Sequence, residues 1–357
     1  MTLILSNKDV EQLLTMPECI EALELAYVEL AAGRGLARTR SDCIAPTSRP
    51  DTHYSLKSMD GVIPKFGVGA VRIDSDIVSM PKIGNNIRRV KVPAAPNDRY
   101  VGLVLLFSTE NGEPLAIMPD GVMQRMRVGA TSGLGVKYLA RKNAKTLGLF
   151  GAGWQAGTQL MAACAVRDIE SIRCFSPRRE RREAFCTEMS TLLNLEVVPV
   201  DQPEAALKDA DIVLCATNSE DAIFFENWIK PGMHLSSIKK PEIDRAAIKR
   251  ADRVIIHARD NRPIVELSTD LPQAVIQAEG RRWPGAEDQD FKLPTLPDLI
   301  AGKIRGRQSE QEVTCFLNYL GLGYQFAAAG SVVYRKAKEQ GVGHELPTDW
   351  FTEDVHP

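Results

Sequence analysis

The stretch "TLGLFGAGWQAGTQLM", residues 146–161, places small residues at Gly151, Gly153 and Ala156. In a G-x-G-x-x-A pattern the first small residue permits a tight turn. The second lets the backbone approach a pyrophosphate, and the third allows close helix–strand packing. A helix opening at Trp154 and Gln155 then turns unpaired N–H groups and a positive dipole end towards phosphates. Context strengthens the pattern: "KTLGLF" reads as a strand before it and "IRCF" as the next strand after it. The second strand ends at Ser176, followed by Pro177, Arg178 and Arg179, with Arg181 and Arg182 beyond. An NAD site usually has an acid there for the ribose 2′-hydroxyl; guanidinium groups suit a 2′-phosphate instead. The chemistry expected is nicotinamide-dependent, with NADP favoured over NAD. The plainer alternative is that these arginines are a solvated helix start, and that Trp154 simply begins its helix.

These residues need a parallel sheet to hold them. Strands and helices alternate from "TLGLFG" through "IESIRCFS", "LEVVPV", "ADIVLCATN" and "MHLSSI" to "ADRVIIHA". That alternation predicts a doubly wound α/β unit, its sheet covered on both faces. Before it, residues 7–33 have three- and four-residue apolar spacing and predict one or two amphipathic helices. From about residue 38 to 118, short alternating runs split by Gly, Pro and Asn predict a largely antiparallel sheet. Residues 79–99 are basic, with Pro and Asn, and read as a long exposed loop that either covers a site or is a plain surface excursion. A small-residue helix is expected at 127–141. The segment from Gln311 to Gly341 is read as one long helical pattern that returns to the first unit. The expected organisation is therefore a substrate-binding and dimerisation domain at 1–128, completed by 309–357, around a Rossmann domain at 129–308.

Composition narrows the classes. A net charge of −2 across 357 residues gives no basic excess for nucleic acid or an anionic membrane surface. The run "VGLVLLF" is far too short to span a bilayer. The N-terminus lacks the basic-then-apolar layout of a signal peptide. Seven scattered cysteines form no CxxC pair and five histidines show no HxxxH spacing, so neither a disulfide framework nor a structural metal is expected. The expectation is a cytoplasmic protein with reduced thiols.

The stretch "MRVGATSGLGVKYLARKNAKTLGLFGAGWQAGTQLMA" resembles the ornithine cyclodeaminase/mu-crystallin family, in which an arginine-bearing helix precedes the strand and glycine loop. The likeness continues through "ADIVLCATNS", "WIKPGMHLSSI" and "LPDLIAGKIRGRQSEQEVTCF". It implies a Rossmann domain joined to a smaller α+β domain, a homodimer, and an active site in the cleft between the domains. Substrates in the family are small α-amino or α-imino acids, used with a bound nicotinamide cofactor. The resemblance adds Thr217 and Asn218 to the cofactor candidates. It also implies that Arg40, Arg72 and Arg127 bind the substrate carboxylate. Planar guanidinium groups suit that task, because two parallel hydrogen bonds hold a carboxylate and fix the α-carbon. A salt-bridged surface arginine is the competing reading, and it is weakest for Arg72 and Arg127, which lie in apolar runs. Lys57 and Lys65 flank the same sheet region and read as structural.

One departure shapes the functional expectation. Ring-closing deaminases of the family carry an acid in a "GD-x-PGK-x-E" segment, whereas here "MHLSSI" runs directly into "KKPEID". Lys240 and Glu242 match the later part, and the aspartate is absent. Lys240, with Lys239 beside it, and Asp74, with Asp76 near it, remain as candidates for proton transfer; solvated turn lysines are the alternative. Imine reduction or amino-acid dehydrogenation needs fewer proton transfers than cyclodeamination. An imino-acid reductase or amino-acid dehydrogenase is therefore expected first, an ammonia lyase of the cyclodeaminase type second, and a non-catalytic cofactor-binding protein third.

Overall fold

Two sheets organise the chain in this computed structural model, which describes residues 1–83, 86–87, 89–259, 263–280 and 293–353. The ten-stranded sheet runs, edge to edge, Ile264–Leu267, Ser41–Pro46, Thr52–Ile63, Val68–Ser79, Val101–Ser108, Pro114–Pro119, Thr2–Ile4 and His344–Leu346, with two short strands off this path. Its long strands Thr52–Ile63 and Val68–Ser79 alternate between buried and partly exposed positions along most of their length, as expected of a sheet with one face on the core. The seven-stranded sheet runs Val197–Val200, Ser171–Phe175, Thr146–Phe150, Ile212–Cys215, His234–Ser237, Thr314–Leu317 and Arg253–Ile256, all parallel. Several of its strands are buried at every position, which is what helices on both faces require.

All six strands expected from the alternation are present. The seventh, Thr314–Leu317, corrects the expectation that Gln311–Gly341 is one helical pattern: the helix begins at Gly323. A short, largely apolar run has no period that separates strand from helix, and here it fills the gap between His234–Ser237 and Arg253–Ile256. Strand Ile264–Leu267 pairs with Ser41–Pro46 of the first sheet. Of the basic stretch 79–99, positions 84, 85 and 88 lie outside the described residues. Lys82–Ile83 pairs with Asn86–Ile87, and Val90–Val92 joins strand Val68–Ser79.

Helices Asn7–Leu13 and Met16–Ala31 open the chain, each with a capping box, Ser6 with Asp9 and Thr15 with Glu18. Tyr27 and Leu23 of the second helix share one apolar core with Phe316 and Ile255 from the parallel sheet and Phe326 from helix Gly323–Gln340. That shared core joins the two sheets. Helix Gly121–Leu139 links them covalently. No helix among the described residues is long and apolar enough to cross a membrane.

Candidate active site

The parallel sheet reverses its strand order between Thr146–Phe150 and Ile212–Cys215. Loops at the carboxyl ends of such a pair diverge and leave a crevice. A cavity of about 580 Å³ lies there, lined by Gly151, Gly153, Trp154, Gln155, Ser176 and Arg178, and on the opposite side by Thr217 and Asn218. Gly151 has φ +119°, and a Cβ on it would collide with the Ala216 carbonyl oxygen, so the turn requires glycine. At Gly153 the position of a Cβ meets open space, which leaves the backbone approachable from the cavity. Helix Trp154–Val166 starts at Gly153 without a side-chain cap, so its first N–H groups remain for a ligand. The geometry fits a dinucleotide.

Sequence reasoning named Arg178 and Arg179. Arg178 lines the cavity. Arg179 does not: it pairs with Glu183 one helical turn on, at 2.8 Å, with its side chain 75% exposed. Arg181 takes that place, lining the cavity and donating to the Ala152 carbonyl at 3.1 Å. Helical geometry explains the exchange, since residues 178 and 181 share a face and 179 turns away. Arg182 is buried and structural, donating to the Ser176 carbonyl at 2.7 Å and pairing with Asp201.

Glu242 organises the other wall. Its carboxylate accepts from the Thr217 N–H at 2.5 Å and the Thr217 hydroxyl at 2.8 Å. It also accepts from the Ser237 hydroxyl at 2.8 Å and from the N–H groups of Ile238 and Lys239, each at 3.1 Å. Burial pushes this carboxyl up while those donors pull it back. Thr217 and Ile238, which both line the cavity, are thereby tied to one residue. Lys240 places its ammonium 5.4 Å from the Tyr319 ring centroid, at the same strand ends.

The arginines expected to hold a carboxylate converge partly. Arg72 and Arg127 both pack on Phe326, with guanidinium carbons 5.5 and 5.2 Å from its ring centroid. Both are buried. Asp120, just before helix Gly121–Leu139, accepts from Arg72 Nε at 2.8 Å and Nη2 at 2.5 Å. A Cβ at Gly102 would strike the Asp120 carboxylate, so glycine there makes room for it. Arg127 donates to two neutral amides, Gln124 at 2.8 Å and Gln325 at 2.8 Å. Among the described residues it forms no ion pair. Burial and the charge on Arg72 pull it down to about 9. Arg40 makes a two-pronged pair with Asp42.

Asp74 differs from what proton transfer requires. Lys57, Lys91 and Arg72 all lie within 3.3 Å of its carboxylate, and these three charges hold it far below the usual carboxylate range. A carboxylate so placed is a counter-ion. Lys57, read as structural from sequence, is buried and donates to Asp76 at 2.5 Å. Lys65 is surface-facing and pairs with Glu29.

Sequence reasoning named Arg181 only as one of a run of arginines, and missed Asp120, Gln124, Gln325 and Phe326. Gln124 stands on the same helix as Arg127 and Asp120 takes its N-cap position, within reach of a helical-wheel reading. Gln325 and Phe326 are nearly two hundred residues away, with no local signal.

The ornithine cyclodeaminase/mu-crystallin family model matches residues 1–341. A Delta(1)-pyrroline-2-carboxylate reductase from Bacillus cereus is 27% identical, over 96% of this chain and 99% of the relative. The solved structure of the Thermococcus litoralis Delta(1)-pyrroline-2-carboxylate reductase, in complex with NADH and L-proline, is 27% identical. It covers 97% of this chain and 100% of its own, with a TM-score of 0.74. An archaeal alanine dehydrogenase dimer with bound NAD is 26% identical, with a TM-score of 0.75 over 97% of this chain and 99% of its own. By its glycine loop, its arginine helix and this end-to-end match, the chain belongs to the ornithine cyclodeaminase/mu-crystallin family.

Proposed function

We propose that this chain is an NAD(P)-dependent oxidoreductase that reduces the C=N bond of a small α-imino acid, or oxidises the matching α-amino acid. The observation that carries this is Arg127: a buried guanidinium among neutral partners, beside Arg72, on a helix packed against the one that begins at the glycine loop. A buried charge without a counter-ion is costly, and an arriving carboxylate supplies one. In this reading Arg127 and Arg72 hold the substrate carboxylate, and Asp120 keeps Arg72 aimed at it. The nicotinamide, when bound, exchanges a hydride with the carbon beside the carboxylate. Lys240 is the group assigned to supply or accept the proton at nitrogen, because it stands at the strand ends that line the cofactor cavity. Asp74 stays ionised.

The preferred cofactor is NADP. Arg178 and Arg181 line the cavity beside Ser176, and none of the described lining residues is an acid for a ribose 2′-hydroxyl. The division expected from sequence, a substrate-binding and dimerisation domain at 1–128, completed by 309–357, around a Rossmann domain at 129–308, is proposed with two exchanges: strand Thr314–Leu317 goes with the Rossmann sheet and strand Ile264–Leu267 with the first sheet. The working unit is a homodimer. The outer face of the first sheet exposes Leu56, Val101 and Leu103, and Leu103 stands opposite Ile73 in register. Such an apolar sheet face suits a second copy. Seven free cysteines, five of them buried, agree with a cytoplasmic setting.

NADPH absorbance tests the reading. Purified protein with pyrroline-2-carboxylate, or with pyruvate and ammonium, consumes NADPH, and Arg127→Met loses that activity chiefly through KM. Ammonia released from ornithine without net cofactor change would replace it with cyclodeamination. No turnover with any imino or amino acid would leave a binding protein.

A further inference from the structure

Resting on the carboxylate-clamp reading above, we propose that Gln124 and Gln325 are positioning residues that set anion specificity by orienting Arg127 without neutralising it. Both amide oxygens accept from Arg127, at 2.8 Å each, where a carboxylate oxygen would serve as acceptor equally well. The orientation of Gln325 is fixed from three sides. Its oxygen also accepts from the Leu322 N–H at 2.9 Å, and its nitrogen donates to the Thr131 hydroxyl at 2.6 Å. Thr131 in turn donates to the Arg127 carbonyl at 2.8 Å and lies 3.0 Å from the Tyr27 hydroxyl, which reaches His257 Nε2 at 2.6 Å. The cradle is thus a chain of uncharged groups ending in the body of the protein.

The charged groups acting on Arg127 leave its charge in place. Arg72 and Arg40 oppose it. Asp120 attracts it, yet the Asp120 carboxylate accepts twice from Arg72, through one oxygen. Close by, the Gly321 backbone comes so near that a Cβ there would sit 2.5 Å from Arg127 Nη1, so the guanidinium is confined as well as oriented. Arg127 Nε is buried without a hydrogen-bond partner. A rigid, confined cation held by neutral acceptors is selective for an anion. The same cation held by a glutamate would form a closed, neutral pair with little left for a ligand.

Isosteric charge substitution separates orientation from charge. Gln325→Glu and, independently, Gln124→Glu are compared with Gln325→Met and with the wild type. KM and kcat are measured for pyrroline-2-carboxylate and for its carboxamide, and the NADPH Kd is measured by fluorescence. Both glutamate variants are expected to raise the carboxylate KM at least tenfold, with NADPH affinity unchanged. They are also expected to narrow the preference for carboxylate over carboxamide. Gln325→Met is expected to raise KM by less and to keep that preference. An unchanged carboxylate KM in both glutamate variants overturns the proposal. So does a Gln325→Met variant that loses carboxylate preference as fully as Gln325→Glu. Unaltered NADPH binding in Gln124→Glu certifies a folded protein should Gln325→Glu prove insoluble. Wild-type protein that binds NADPH and turns over no imino or amino acid would instead sink the clamp reading itself, a distinguishable result.

Discussion

Gly129, on the helix that carries Arg127, lies so close to Thr158, on the helix that starts at the glycine loop, that a Cβ would come within 2.5 Å of the Thr158 carbonyl oxygen. One turn on, a Cβ at Gly133 would stand 2.9 Å from the Ala162 side chain. Two glycines on one helix face let the backbones approach closely, and this contact sets the distance between the anion clamp and the cofactor cavity. Gly129→Ala is expected to destabilise by about 1–3 kcal/mol through overpacking. It is also expected to raise KM for the imino acid more than Kd for NADPH, because the clamp helix has to move. Thermal unfolding and steady-state kinetics check both parts.

Cofactor choice divides between neighbouring arginines. Arg178→Ala and Arg181→Ala are each expected to raise the KM for NADPH roughly tenfold or more, with little change for NADH. Loss of a charged hydrogen bond costs about 1.5–3 kcal/mol. Arg179→Ala, in contrast, removes only an exposed pair with Glu183 and leaves both values near wild type. Initial rates with the two cofactors decide it.

Glu242 gathers five donors, three of them backbone N–H groups. Glu242→Gln keeps the shape and replaces one acceptor oxygen by a donor, so some of these groups lose their partner. NADPH affinity is expected to fall roughly fivefold to fiftyfold, at about 1–3 kcal/mol for the unsatisfied groups. Direct cofactor titration by fluorescence measures this.

Two buried histidines give the protein an acid limit. Burial lowers His234 to about 3 and His257 to about 4 from an ordinary 6.5. Both are neutral in the folded protein at neutral pH, while the unfolded chain takes up protons below pH 6.5. The stability they share in is full above pH 6.5 and is lost as pH falls from there towards 4 and then 3, by roughly 3 kcal/mol or more per histidine. Melting temperature is expected to fall between pH 6.5 and 4, and His234→Gln is expected to flatten that decline. A flat wild-type profile over this window would contradict the prediction.

Association through the outer sheet face carries its own test. Leu103→Glu and Leu56→Glu place charges on positions 38% and 39% exposed, opposite Ile73 and Ser75 in the register. Light scattering after size exclusion is expected to show the wild type at twice the chain mass and each variant shifted to the monomer.

The parallel sheet and its glycine loop were legible because alternating apolar runs and small residues at fixed spacing are local signals. Arg72 and Arg127 were singled out by the family resemblance, and their place inside apolar runs weighed against a surface role. Other features depend on packing across the chain. Strand Thr314–Leu317 carries no period of its own and is a strand because two others leave it a slot. Arg179 and Arg181 were separable only by which helix face meets the cavity. Asp74 stood in sequence only as a candidate for proton transfer, and the approach of Lys57 and Lys91 from neighbouring strands, with Arg72 on its own strand, shows it engaged as a counter-ion.

The chain passes between the two sheets four times: from Pro119 to Thr146, Ile256 to Ile264, Leu267 to Thr314 and Leu317 to His344. Excising residues 129–308 would therefore remove Thr314–Leu317, the strand next to the edge, from the parallel sheet, leaving Arg253–Ile256 without a neighbour. It would also take Ile264–Leu267 away from the strand it borders. Neither half is a transferable module, and a gene fusion or truncation that treats the nucleotide-binding half as a cassette would produce an unravelled edge instead of a working part.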